Sequence, residues 1–287
     1  MWRLAPMHRL CQREARPMRE ILKTTRREMA NRTKRSILIT GGGQRIGAAL
    51  VRSCAREGWF VAVHCHASVK EAETLVGEIR AAGGAGKVVS ADLSNPAAIP
   101  GLLLEARRNA PPLIALVNNA SVFEYDAVGS LNAEGIDRHL AVNLRAPVLL
   151  SQAFNDTFGD GYKDDGCIIN ILDNKVFAVN PDYFSYTVSK FGLHGATLAM
   201  AMAMAPRLRV NAIAPGITLE SGGQGEKSFR DGQRMSPIGR VCSADDIANA
   251  LSFILSTPSL NGHVITVDGG QTLQRLPRDV AFLGGGG

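Results

Sequence analysis

The chain has 287 residues, 45% of them hydrophobic and 20% charged, enough to bury the core of one sizeable domain and too apolar for a disordered chain. No uninterrupted apolar stretch approaches the ~20 residues of a membrane-spanning helix. The five cysteines (11, 54, 65, 167 and 242) are scattered and odd in number, which argues against a disulfide framework and fits reduced thiols in a cytoplasmic protein. The formal charge of +6 is concentrated at one end. Residues 1–35 hold 11 Lys/Arg against 3 Asp/Glu, a surplus of eight, so the remainder is net −2 (6 minus 8).

Residues 1–35 read as a basic, disordered extension, or as sequence upstream of a later start at Met7, Met18 or Met29. Glu14, Glu20 and Glu28 argue against an Arg-rich targeting peptide, and no apolar run supports a secretory signal. The absence of interleaved aromatics argues against nucleic acid as a partner. Residues 36–287 then form one domain.

That domain opens on an apolar, β-branched strand at 36–40, followed by Thr40-Gly-Gly-Gly-Gln-Arg-Ile-Gly47 and a helical stretch over 46–57. Strand, glycine turn and helix start suit a pyrophosphate: backbone approaches closely and helix N–H groups point at the anion. The second strand, 59–65, ends in His64-Cys65-His66, with Ser68 just beyond. The two histidines share a strand face while Cys65 points away, and no second ligand pair lies near, so the run predicts no metal site. An NAD-preferring site usually places an Asp or Glu about 20 residues past the glycines, on the ribose hydroxyls. Here the first carboxylate is Glu71, already in the next helix, while Arg45, His66 and Ser68 offer a cation and donors for a 2′-phosphate. The pattern therefore predicts NADP(H) rather than NAD(H).

Further apolar strands fall at 87–91, 113–117, 167–172, 208–214 and 263–267, alternating with helical segments. Such alternation predicts a Rossmann-type, doubly wound parallel α/β sheet of seven strands in a single domain. Asp173 closes the fifth strand, where such sheets place their chemistry. Tyr186 and Lys190, four apart in a helical segment, project from one face. An ammonium beside a phenol stabilises the phenolate, which predicts a lowered Tyr186 pKa and a proton donor or acceptor near neutral pH. The alternating Met/Ala run at 198–205 extends this helix and predicts packing at a core or subunit interface. Residues 217–240 are Gly- and Ser-rich without a strong period and predict a loop.

The glycine motif and Tyr186-x-x-x-Lys190 together resemble the short-chain dehydrogenase/reductase family, over roughly residues 36–272. Asp92-Leu93, Asn118-Asn119-Ala120, Asn143, Pro215-Gly216 and Val267-Asp-Gly-Gly270 follow in the family's order. Two positions depart from the general pattern: Arg45 replaces the second motif glycine, and Asp173 stands where most members carry a catalytic serine. Both are shared with the pteridine reductase and dihydromonapterin or dihydrofolate reductase branch, which His64-Cys-His-Ala-Ser68 and Asn118-Asn-Ala-Ser-Val-Phe123 also resemble. Ala67 departs from that branch, whose arginine there would bind the phosphate.

The resemblance implies a catalytic set of Asp173, Tyr186, Lys190 and Asn143, the last holding a water that relays protons. It implies an NADPH site from Gly41, Gln44, Arg45, Ile46, His64, His66, Ser68, Asp92, Leu93, Asn119, Ala120, Ser121, Leu172, Tyr186, Lys190, Pro215, Gly216 and Ile217. A substrate site follows from Arg45, Ser121, Phe123, Asp173 and Tyr186, with Phe123 stacking on a pterin and 217–240 as the substrate loop. The implied assembly is a homotetramer or homodimer. The implied activity is NADPH-dependent hydride transfer to a C=N bond of a pterin or dihydrofolate-like small molecule. The alternatives are a carbonyl or 3-oxoacyl reductase in which Asp173 merely orients Tyr186, and a cofactor sensor without turnover.

Overall fold

The computed structural model describes residues 35–158, 166–219, 236–240 and 242–282. The basic extension up to residue 34 and residues 220–235 of the expected substrate loop lie outside the described residues. Runs rich in Val, Ile and Leu take the pleated, buried conformation that suits branched side chains. They give β1 (Ser36–Ile39), β2 (Phe60–Cys65), β3 (Ala85–Ser90), β4 (Leu113–Asn118), β5 (Cys167–Ile171), β6 (Arg209–Pro215) and β7 (Val264–Val267). All pair in parallel in one sheet of order β3-β2-β1-β4-β5-β6-β7, as the alternating pattern predicts.

β3 begins two residues earlier than its apolar run suggests. Gly86 permits this, because a Cβ there would lie 2.6 Å from the Val61 carbonyl oxygen and 2.9 Å from the Ile79 side chain. Only a bare backbone fits that approach.

The connecting helices are α1 (Arg45–Arg56), α2 (Val69–Ala81), α3 (Ile99–Arg107), α4 (Ala133–Leu140), α5 (Ala146–Asp156), α6 (Phe184–Ala203) and α7 (Ala244–Ser256). α1 packs with α2 and α7, while α3 packs on α5 and α6 on both α4 and α5, so helices cover both faces of the sheet. That is why β1 and β5 are buried along their whole length. Buried polar side chains link across the sheet: Asn118 donates to Asn170 at 2.8 Å, and Asn170 to Thr197 at 2.9 Å, while Asn118 Oδ1 is left without a partner among the described residues. Local signals fix the helix starts. Ser243 and Asp246 form a reciprocal capping box on α7, and Asn132 accepts from Gly135 N–H at 2.8 Å to cap α4.

α4 passes into α5 through a π turn, Ala141–Arg145, which carries Asn143. In α6, Met200 is buried and Met202 is 84% exposed, so the methionine run splits between core and surface. No helix among the described residues is long and apolar enough to cross a membrane. Strand order reverses between β1 and β4, which opens a crevice at their carboxyl ends.

Candidate active site

Thr40 ties the two sides of that crevice together. Its hydroxyl donates to Val117 O and accepts from Asn119 N–H at 2.9 Å and Ala120 N–H at 3.0 Å. Asn119 returns its amide to Thr40 O and Gly41 O, so the two strand ends form one rigid rim. Gly41 takes a φ of +60°, and a Cβ there would come within 2.9 Å of the Ala120 Cα. A Cβ at Gly47 would collide with the Gly41 carbonyl and lie 2.8 Å from Asn119 Nδ2. Arg45, in place of a motif glycine, still takes the left-handed backbone that glycine prefers, with φ 53°.

A cleft of about 560 Å3 lies beneath this rim. Its lining brings together Gly41, Gln44, Arg45, Ile46 and Ser68 from the β1 and β2 ends and Asn119, Ala120, Ser121 and Phe123 from the β4 end. Leu172, Asp173, Tyr186, Lys190, Pro215, Gly216 and Ile217 line it from the β5 and β6 side. His64, His66, Asp92, Leu93 and Asn143 are outside the lining. His64 is buried below the loop, with Nδ1 accepting from Gly41 N–H and Nε2 meeting Ala91 O, each at 3.1 Å. Both ring nitrogens are therefore used, and burial lowers its pKa from 6.5 to about 4. His64 holds the glycine turn from behind. His66 is exposed, Leu93 is buried, and the Asp92 carboxylate folds back on Ser94, accepting its N–H at 2.9 Å and its hydroxyl at 2.7 Å.

The Tyr186 hydroxyl donates to Asp173 Oδ2 at 2.8 Å, and Asp173 Oδ1 accepts from Lys175 N–H at 2.9 Å. Lys190 Nζ donates to Ile171 O at 2.8 Å and stands 5.5 Å from the centre of the Tyr186 ring. The electrostatics correct the expectation of a lowered Tyr186 pKa. Burial, then the charge of Asp173 and the hydrogen bond to it, push the phenol well above its ordinary value. Lys190 is instead brought down to about 8 by its own burial, against the pull of Asp173. The ammonium contributes little to the phenol because the carboxylate is the nearer charged partner.

Asn143 has its side chain fully used. Its Oδ1 accepts from Val122 N–H at 2.7 Å and Ser121 hydroxyl at 3.2 Å, while Nδ2 donates to Val122 O at 2.9 Å and Ser189 Oγ at 3.0 Å. Through these bonds its side chain braces the 121–122 loop against α6. Phe123 is 39% exposed, stacked on Tyr183 at 4.2 Å and edge-on to Tyr186 at 4.6 Å.

Sequence reasoning missed several lining residues, Gly47, Ile171, Asn174, Lys175, Asp279 and Val280, whereas Thr218 and Leu219 belong to the expected substrate loop. Gly47 belongs to the glycine motif and was legible there. Asp279 and Val280 come from a C-terminal segment with neither motif nor period, and Lys175 reaches Asp279 at 2.7 Å across the fold.

A phenol and a buried amine below a glycine turn, at the switch point of a parallel sheet, define an oxidoreductase on a dinucleotide-binding fold. The family model described as enoyl-(acyl carrier protein) reductase matches residues 42–272, and the chain belongs to the short-chain dehydrogenase/reductase family. It is similar to the crystal structure of FolM alternative dihydrofolate reductase 1 from Brucella canis complexed with NADP. That match has 38% identity and a TM-score of 0.79, covering 85% of this chain and 96% of the other. An uncharacterized oxidoreductase from Methylorubrum extorquens is 32% identical over 241 residues, 81% of this chain and 96% of its own. A dihydromonapterin reductase from an Enterobacter species is 27% identical over 245 residues, 85% of this chain and 100% of its own.

Proposed function

We propose that this protein is an NADPH-dependent reductase acting on a C=N bond of a pterin or dihydrofolate-like ring. The observation that carries the reading is the Asp173 carboxylate in the cleft wall, bonded to the Tyr186 hydroxyl and close in the lining to Phe123. A ketone oxygen only accepts a hydrogen bond, and a serine hydroxyl suffices for it. A pterin edge presents N–H groups as well, and a carboxylate accepts from them. The similarity to the NADP-complexed dihydrofolate reductase and to the dihydromonapterin reductase supports the same reading.

The residues present fit NADPH. Gly41 and Gly47 leave a cradle that a Cβ would fill. The first turn of α1 contains no acid, and its N-cap Gln44 makes no side-chain cap bond, which leaves helix N–H groups for a pyrophosphate. Arg45 and Ser68 line the same end, and β2 ends without a carboxylate to repel a 2′-phosphate. When bound, NADPH supplies the hydride.

Hydride addition leaves negative charge on the ring nitrogen, and Tyr186 delivers the proton to it. Its raised pKa makes the phenol inert toward water yet still acidic relative to a nitrogen anion. The Asp173 carboxylate, 2.8 Å from the phenol oxygen, holds the hydroxyl in the cleft wall, and solvent replenishes the proton through the cleft. Lys190, bound to Ile171 O, lines the same cleft and would bond the nicotinamide ribose. Val188, Phe191, Leu198 and Met202, all exposed on α6, support assembly into a homotetramer or homodimer.

Full-length protein should oxidise NADPH in the presence of dihydromonapterin, dihydrobiopterin or dihydrofolate. Turnover of ketones or 3-oxoacyl compounds alone would refute the pterin assignment.

A further inference from the structure

Residues 278–282 lie beyond the span matched by the family model, yet they reach the cleft. Arg278 grips the buried Asp182 carboxylate through Nε and a terminal nitrogen at 2.7–3.0 Å, and Asp279 N–H donates to the same carboxylate at 2.7 Å. Two continuous routes run from this segment to the reacting groups. The polar one passes from Asp279 Oδ2 to Lys175 Nζ at 2.7 Å, the two side chains only 15% and 7% exposed, and from Lys175 N–H to Asp173 Oδ1 at 2.9 Å. Lys175 Nζ is also held by Asn180 Oδ1 at 3.0 Å and Asp182 O at 3.1 Å. The aromatic route runs from Phe282 to Tyr183 with ring centres 6.1 Å apart, then through the Tyr183–Phe123 stack to the edge of Tyr186.

We propose that residues 278–282 form a strap that sets the substrate half of the cleft, with Asp279 as the positioning residue that aims the Asp173 carboxylate. The proposal rests on the reading of Asp173 as the substrate-side carboxylate. The physical reason is the burial of the Lys175–Asp279 pair. Removing Asp279 strips the ammonium of its directly paired carboxylate in a poorly solvated place, and it shifts towards its remaining partners, Asn180 Oδ1, Asp182 O and the Asp182 carboxylate that Arg278 already grips. Asp173 is bound by the backbone N–H of that same residue, so movement of Lys175 tilts the carboxylate away from the phenol and the substrate. A misplacement of about 1 Å at a reacting group can cost on the order of 100-fold in rate.

The test is a double-mutant cycle on the full chain, with Asp279→Asn, Asp173→Asn and the pair, read as NADPH oxidation with a dihydropterin. Asp279→Asn should lower kcat/KM for the dihydropterin about tenfold or more, while NADPH affinity stays within about twofold. Asp279→Glu, which keeps the charge, should restore part of the loss. In the Asp173→Asn background the Asp279→Asn change should cost little further. Equal costs in the two backgrounds, or a wild-type kcat/KM in Asp279→Asn, would overturn the proposal. Should Asp279→Asn fail to fold, Arg278→Gln at a half-exposed side chain loosens the same segment and enters the same cycle. A wild type that reduces ketones but no dihydropterin would sink the pterin reading instead, and the cycle run on the ketone would still decide the coupling.

Discussion

His64 gives the sharpest physical prediction. The ring is 2% exposed and bridges Gly41 N–H and Ala91 O, so it is held in the tautomer with the proton on Nε2. A second proton on Nδ1 would destroy the bond from Gly41 and place an unpaired charge beneath the glycine turn. Burial accordingly lowers its pKa from 6.5 to about 4, with the nearby His66 adding a small push in the same direction. Above pH 6.5 the ring is neutral in folded and unfolded chains alike, and stability from this source is fully present. As pH falls from 6.5 towards 4, the unfolded chain takes up a proton that the folded site refuses. The shift is worth about 3 kcal/mol once pH is below both values, and about 2 kcal/mol at pH 5.

The assay is urea unfolding of wild type and His64→Gln at pH 7.5, 6 and 5. The glutamine amide offers a donor and an acceptor but does not titrate, so the variant should lose about 2 kcal/mol less than wild type between pH 7.5 and 5. NADPH affinity of the folded wild type should hold down to pH 5 and weaken only as pH approaches 4, where His64 takes up its proton and Gly41 N–H loses its partner. Parallel pH profiles for the two proteins would refute the reasoning.

Three further changes probe the site. Tyr186→Phe should reduce turnover by a factor of about 100 to 10,000 with NADPH binding retained, and activity within a few-fold of wild type would remove Tyr186 as proton donor. Gly47→Ala should abolish NADPH binding, since its methyl would strike the Gly41 carbonyl, and a wild-type dissociation constant by fluorescence titration would contradict that close approach. Arg45→Gly relieves a left-handed backbone that costs about 1 kcal/mol or more, so Tm should rise while the preference for NADPH over NADH falls. An unchanged cofactor preference would detach Arg45 from the 2′-phosphate.

The sheet was legible because helices cover both faces of its central strands, which read as apolar runs, while the edge strands β3 and β7 are only partly buried. The Tyr186–Lys190 spacing was legible because helical periodicity is local. His64 shows where locality ends: alternation along β2 assigns its face but not its depth, and depth decides whether the ring meets a phosphate or props a loop. The direction of the Tyr186 shift failed for the same reason. It depends on which charge the phenol touches, and the Asp173 carboxylate is turned towards it by the Asn174–Val176 turn that it caps. Asp182 and Arg278 lie 96 positions apart with no repeat connecting them, so the strap has no sequence signature.

Counting lone pairs explains why a carboxylate at position 173 differs from the serine common in the family. Asp173 already accepts from Lys175 N–H through one oxygen and from the Tyr186 hydroxyl through the other. An ionised carboxyl has about four acceptor sites, so about two remain for a ligand in the cleft. A serine hydroxyl with the same two duties has two acceptor lone pairs and would have spent both, leaving only its proton to offer. Such a proton suits a carbonyl oxygen. The two unused acceptor sites of Asp173 suit a ligand edge that donates, as a ring bearing N–H groups does. The proposed preference for a nitrogen-rich ring rests on the bonds that Asp173 keeps free.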